Sequence, residues 1–167
     1  MNRQRAAKQL EVIHFLESKE KYFKIPGLTL ARQKVELEMA YPESAAYIYE
    51  GKLEWCAIAK PTVFSKEYEI KIEYKMGSSP IIWLVGVDLD PEDAQKIPHK
   101  YEVKIEVKKV RLCLYMPKYK EWDKYMFIAD TIVPWAIEWL YFYEIWQITG
   151  EWKGGGEHPR EKDCKIK

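Results

Sequence analysis

The sequence predicts an α+β domain: an N-terminal helix, an antiparallel sheet of about four strands, a loop that carries the chemistry, and an aromatic-rich C-terminal helix. Three observations predict it. Tyr68, Ile70, Ile72 and Tyr74 alternate with Glu67, Glu69, Lys71 and Glu73, the period of a strand with one face on a core and one in water, as antiparallel sheets allow. From Ile128 onward, Ile132, Trp135, Trp139, Phe142 and Trp146 step by three or four, with Ala136, Leu140 and Tyr143 widening the stripe. Ala6, Leu10, Ile13 and Leu16 recur in the same way among charged residues, predicting a first helix from Asn2 to about Lys21.

Between these anchors the chain reads in order. Leu30, Val35, Leu37 and Met39 alternate imperfectly with charge and predict a first strand over Thr29 to Met39, closed by the turn residues Tyr41-Pro42-Glu43-Ser44. Ala46 to Glu50 and Leu53 to Ala59 flank Gly51; on the second run Leu53, Trp55, Ala57 and Ala59 share a face, opposite Glu54, Cys56, Ile58 and Lys60. After the Glu67 to Tyr74 strand, Gly77-Ser78-Ser79-Pro80 turns the chain into the apolar run Ile81 to Val87, suited to a central strand. Asp88 to His99, with Pro91 and Pro98, reads as a loop. Tyr101, Val103, Ile105 and Val107 then alternate with charge until the parity shifts at Lys108-Lys109, which requires a bulge or tight turn. Pro134 belongs in the first turn of the last helix and Gly150 at its end.

At 167 residues the chain fits one domain, placed over residues 1–153, with a Gly-rich connector and charged tail over 154–167. Its 27 Lys and Arg nearly cancel 26 Asp and Glu, so no global field draws it to nucleic acid or an acidic membrane. Met1 is followed by a polar, basic segment without a signal-peptide core, and the apolar runs are short, so a cytoplasmic protein is expected. Cys56, Cys113 and Cys164 form neither a CxxC pair nor a zinc set, and an odd count in a reducing compartment means free thiols. Gly154 to Gly156 lacks the following Lys of a phosphate loop and is read as a connector.

The stretch Val110 to Trp122 concentrates the chemistry. Val110, Leu112 and Leu114 fall on one strand face, which puts Arg111, Cys113 and Tyr115 on the polar face; a thiol there, two residues from a cation and before a Pro-containing loop, is a candidate nucleophile. The plain alternative is an ordinary strand cysteine. A thiol near pKa 8.5 is a few per cent ionised at neutral pH, and Arg111, Lys108 or Lys109 would raise that fraction. His99 is the second catalytic candidate, as a donor to an oxyanion or a base toward an amine; its alternative is a turn residue after Pro98. Tyr115 and Trp122 either wall the cysteine and meet a partner or pack against the sheet, and Trp135, Trp139 and Trp146 read as core. Cys56 reads as structural, Cys164 and His158 as tail residues.

The element order, with LEWCAIAKP (residues 53–61), YEIKIEY (68–74), Pro80 before an apolar strand and RLCLYMPKYKEW (111–122), resembles the ubiquitin-conjugating enzyme family. IPHKY, LCLYMP, IADTIVPWAIEWLYFYE and TGEWKGGGEHP resemble its prokaryotic branch in cyclic-oligonucleotide anti-phage signalling (CBASS) operons. The resemblance implies a cysteine acyltransferase in which Cys113 takes the C-terminal tail of a cGAS-like nucleotide cyclase as a thioester, with or without a separate activating enzyme, and promotes conjugation or priming. It implies no metal and no organic cofactor, and in the wider family the first helix and the loop at 118–125 meet partners. One departure stands out. The family carries His-Pro-Asn shortly before its cysteine, the Asn serving the oxyanion; here Ile97-Pro98-His99 lies further upstream and the oxyanion donor is unassigned. That loss leaves room for a catalytically silent relative that clamps the cyclase and regulates it without covalent chemistry.

Overall fold

The computed structural model describes residues 27–157. The helix expected over residues 2–21, together with His158 and Cys164, lies outside the described residues. The fold is α+β, with a six-stranded antiparallel sheet rather than about four strands. Helix α1 (Leu30–Ala40) comes first, then β1 (Ala45–Tyr49), β2 (Lys52–Ala59), β3 (Tyr68–Lys75) and β4 (Ile81–Val85) as a meander. Helix α2 (Pro91–Lys96) leads to β5 (Lys100–Lys104), β6 (Lys109–Leu112) and the long helix α3 (Ile132–Thr149). The spatial order is β1-β2-β3-β4-β6-β5, so β6 inserts between β4 and β5 and ends in the middle of the site.

The strand patterns place the core on one face. Trp55 pairs with Ile72 and Ile72 with Ile82, while Ala57, Ile70, Leu84 and Val110 form a second row across four strands. These rows pack against Ile132, Val133, Ala136, Trp139, Leu140 and Tyr143 of α3, and each fully buried Leu or Ile among them contributes roughly 1.5–3 kcal/mol. Pro134 stands in the first turn of α3 and Gly150 closes it at φ 73°, donating its N–H to the Trp146 carbonyl. The parity shift at Lys108-Lys109 is a tight turn: Ile105–Val107 form one 3-10 turn and Lys108 takes φ 50°.

The strand expected over Thr29 to Met39 is instead α1. Its buried side chains are Gln33 and Leu37, with Leu30 packed beside them, a three-and-four spacing that a polar residue at a core position concealed. Val35 and Met39, which the alternation put inside, are exposed. Gln33 is there for its hydrogen bonds. Its amide donates to the Met126 carbonyl (2.8 Å) and accepts from the Ile128 N–H (2.9 Å), which ties α1 to the approach of α3. The loop expected over Asp88 to His99 contains α2, started by Pro91 at its first position and by the Asp90 carboxylate capping the N–H groups of Glu92 and Asp93.

Gln33→Ala leaves the buried Ile128 N–H without its partner and the half-buried Met126 carbonyl without its donor, and is expected to lower stability by about 1–3 kcal/mol in urea denaturation; Gln33→Met, which keeps the volume, should lose nearly as much, and a loss below about 0.5 kcal/mol would refute the bridging role. A second prediction concerns alkali. Burial pushes the phenols of Tyr41, Tyr68, Tyr74, Tyr101, Tyr115 and Tyr143 above their ordinary value, that of Tyr115 to about 12. The folded state therefore holds these protons more tightly than the unfolded chain, whose tyrosines ionise near pH 10. Stability from this source is complete below about pH 10 and falls above it, so urea midpoints should drop as the pH rises from about 10 to about 12.

Candidate active site

Strand β6 stops at Leu112, one residue before Cys113, and the chain then runs through Leu114 to Met116 into a 3-10 turn at Pro117–Tyr119. Cys113 is 5% exposed. Strand parity places it on the face opposite Val110 and Leu112, but β6 ends at Leu112, and Cys113 lies instead in a cleft lined by Trp135, Glu138 and Trp139 of α3. The thiol heads a cleft of about 510 Å³ whose walls include His99, Tyr115, Glu138, Trp139 and Trp152.

His99 organises the head of this cleft through its backbone. Its φ of 47° is left-handed, a conformation uncommon for a side-chain-bearing residue, and it turns the carbonyl to accept both the Cys113 N–H (2.9 Å) and the indole N–H of Trp139 (2.8 Å). One peptide oxygen thereby fixes the cysteine, the sheet edge and α3 together. His99 is 6% exposed, and its imidazole stacks on Trp152, with ring centroids 4.9 Å apart. The structure thus brings the two sequence candidates, Cys113 and His99, into one cleft through a backbone bond.

Tyr115 lines the cleft and leans on Trp135 at 5.7 Å. Trp122 lies elsewhere: it is 7% exposed and packs edge-on against Tyr74 at 5.5 Å, within the hydrophobic core. Of the cations near Cys113 in sequence, Lys108 pairs with Asp88 at 2.6 Å, whereas Arg111 lies over the ring of Tyr101, 5.0 Å from its centroid. Tyr101 is the residue that sequence reasoning missed. Read there only as a strand face, it sends its phenol O–H to the Tyr115 carbonyl (3.0 Å), the same oxygen that the Cys113 sulfur approaches at 4.0 Å. Burial first, and then hydrogen bonding to Cys113 and its nearby charge, hold this phenol well above its ordinary pKa. The available signal was its position two residues after His99 and opposite β6.

The Gly154 to Gly156 run is a wall of the cleft. Trp152 wedges it against Trp139 and Phe142 (5.6 and 5.9 Å), and Glu157 latches it to the opposite rim, accepting from Lys118 (3.1 Å) and from the Tyr119 hydroxyl (3.0 Å). A Cβ on Gly154 would lie 2.7 Å from Phe142 and 2.8 Å from the Trp152 indole nitrogen, so the close approach requires glycine. Among the described residues no group of three or more His, Cys, Asp or Glu is arranged to hold a metal ion, and no helix is long and apolar enough to cross a membrane.

An antiparallel sheet backed by one aromatic helix, with a cysteine seated at a strand end in a half-enclosed cleft, is consistent with a ubiquitin-conjugating-enzyme-like protein. The family model of Type II CBASS E2 proteins matches residues 33–159, and the chain belongs to that family. It is accordingly an E2-like component of CBASS anti-phage defence. No curated protein matches the chain.

Gly154→Ala should displace the wall and open the cleft. In a Cys56→Ser, Cys164→Ser background, Cys113 is expected to react several-fold faster with a disulfide reagent while the urea midpoint barely moves; an unchanged thiol rate would mean that the segment does not limit access.

Proposed function

We propose that this protein is a cysteine-dependent acyltransferase in which Cys113 accepts the C-terminal acyl group of a partner protein, a nucleotide cyclase of its operon, as a thioester and passes it to an amine. The observation that carries the reading is the seat of Cys113: a buried thiol at the head of a cleft, in a chain of the Type II CBASS E2 family. A thiolate is the form that attacks, and the cleft gives an acyl group a half-enclosed, partly aromatic place beside it. Glycines line one side of the cleft, which suits an extended chain end.

His99 contributes position more than protons in this reading. Its carbonyl holds the Cys113 backbone, and its ring is covered by Trp152. A second reading, a silent clamp that grips the cyclase without covalent chemistry, is favoured by the 5% exposure of Cys113.

Intact-mass measurement of the protein co-expressed with the cyclase separates the two. Acyl transfer is expected to leave a thiol-labile adduct of cyclase mass in the wild type, none in Cys113→Ala, and a thiol-resistant ester in Cys113→Ser. An unmodified complex in all three variants would establish the clamp, and no complex at all would remove both readings.

A further inference from the structure

We propose that the Tyr101 hydroxyl is the hydrogen-bond donor of the conjugation site, turning to the Cys113 sulfur when it ionises and then to the oxygen of the tetrahedral adduct formed on it. The inference rests on acyl transfer at Cys113 and adds the group that stabilises negative charge there.

Several donors around the cleft are engaged, whereas the Trp152 indole N–H and the Tyr115 hydroxyl, which also line it, are buried without hydrogen-bond partners. The Cys113 N–H is bonded to the His99 carbonyl at 2.9 Å, the Trp139 indole to the same oxygen at 2.8 Å, and the Met116 N–H to a Glu121 carboxylate oxygen at 2.9 Å. Lys118 is held by Glu157, and Lys100 donates to the carbonyls of Gln95 and Ile97. The His99 ring is stacked beneath Trp152. Tyr101 lines the adjoining pocket and not the cleft itself, but its hydroxyl, which donates to the Tyr115 carbonyl at 3.0 Å, converges on that acceptor with the Cys113 sulfur at 4.0 Å. A phenol has one proton to give and one bond about which to swing it. With Cys113 as a thiol, that proton goes to the carbonyl; once the sulfur is anionic, the sulfur is the stronger acceptor and the hydroxyl rotates toward it.

Arg111 prepares the donor. Its guanidinium lies 5.0 Å from the Tyr101 ring centroid, a cation over the π face that restrains the ring and polarises the O–H. Burial and the neighbouring sulfur keep the phenol protonated through the working range, so it acts as a donor and never as a base.

The step balances as follows. A lone pair of the Cys113 thiolate forms an S–C bond to the terminal carbonyl carbon of a thioester-activated chain end. The C=O π pair moves to oxygen, where Tyr101 donates to the oxyanion. That pair returns, the C–S bond to the donor thiol breaks, and the donor leaves as a thiolate. Loss of one such donor typically slows acyl transfer by about 10²–10³-fold.

The test uses full-length protein carrying Cys56→Ser and Cys164→Ser, with and without Tyr101→Phe, which keeps the ring beneath Arg111. Two rates at Cys113 are followed by intact mass: alkylation by iodoacetamide, which builds no oxyanion, and loading from the 2-mercaptoethanesulfonate thioester of acetyl-glycyl-glycine. Tyr101→Phe is expected to move the pH midpoint of alkylation upward and, at equal thiolate fraction, to cut loading by about 10²–10³-fold. Arg111→Gln, which leaves Tyr101 in place, should change both in the same direction by a smaller factor. Equal losses in the two reactions would overturn the oxyanion role, and an unchanged alkylation profile would overturn the sulfur contact. A wild-type protein alkylated at Cys113 yet never loaded would remove the acyl-transfer reading together with the oxyanion role, while the alkylation profiles would still decide the sulfur contact.

Discussion

The left-handed turn at His99 is the constraint on which the site depends. A residue with a side chain adopts φ 47° only where its surroundings hold it there. Here two N–H donors, one from the residue after β6 and one from the indole of α3, converge on its carbonyl oxygen. Any shift of α3 along the sheet would break one bond or the other. Sheet edge, helix and cysteine therefore move as a unit, which is the condition for holding a nucleophile in a reproducible place.

Aromatic side chains supply the rest of that rigidity. Trp139 stacks on Tyr143 at 5.1 Å and Tyr143 on Trp146 at 5.8 Å, while Trp152 brings the chain after α3 back onto His99. Such rings bury large apolar area with few torsions to freeze, and their N–H and O–H groups place hydrogen bonds at chosen points. The indole of Trp139 performs both tasks: its ring lies in the core and its nitrogen reaches the His99 carbonyl. Polar chemistry is thereby embedded in an apolar wall, where the Trp139–His99 hydrogen bond is buried away from water.

Much of the fold was legible because it is written in local periods. The alternation of Tyr68 to Tyr74 reports a half-buried strand whatever its neighbours are, and the burial along β3 follows it residue by residue. The turn at Lys108 was visible as a break in parity, and the end of α3 as Gly150. Helix α1 was misread because Gln33, a polar residue, occupies a core position through hydrogen bonds to residues 126 and 128, far along the chain. The exposed face expected for Cys113 failed for a related reason. Parity names the two faces only while a strand lasts, and β6 ends at Leu112, so Cys113 turns into the cleft beside α3.

By itself, the sequence determined that one antiparallel sheet would be backed by an aromatic helix, and that a cysteine would stand at a strand end before a proline loop. Those features depend on side-chain period and on the backbone preferences of Gly and Pro, which act over a few residues. The tertiary structure alone decided that Cys113 is covered, that Tyr101 shares an acceptor with its sulfur, that Trp122 is core, and that Gly154 to Gly156 wall the cleft. Each of these joins residues distant in sequence, and such contacts come from the packing of whole elements, which no local pattern encodes.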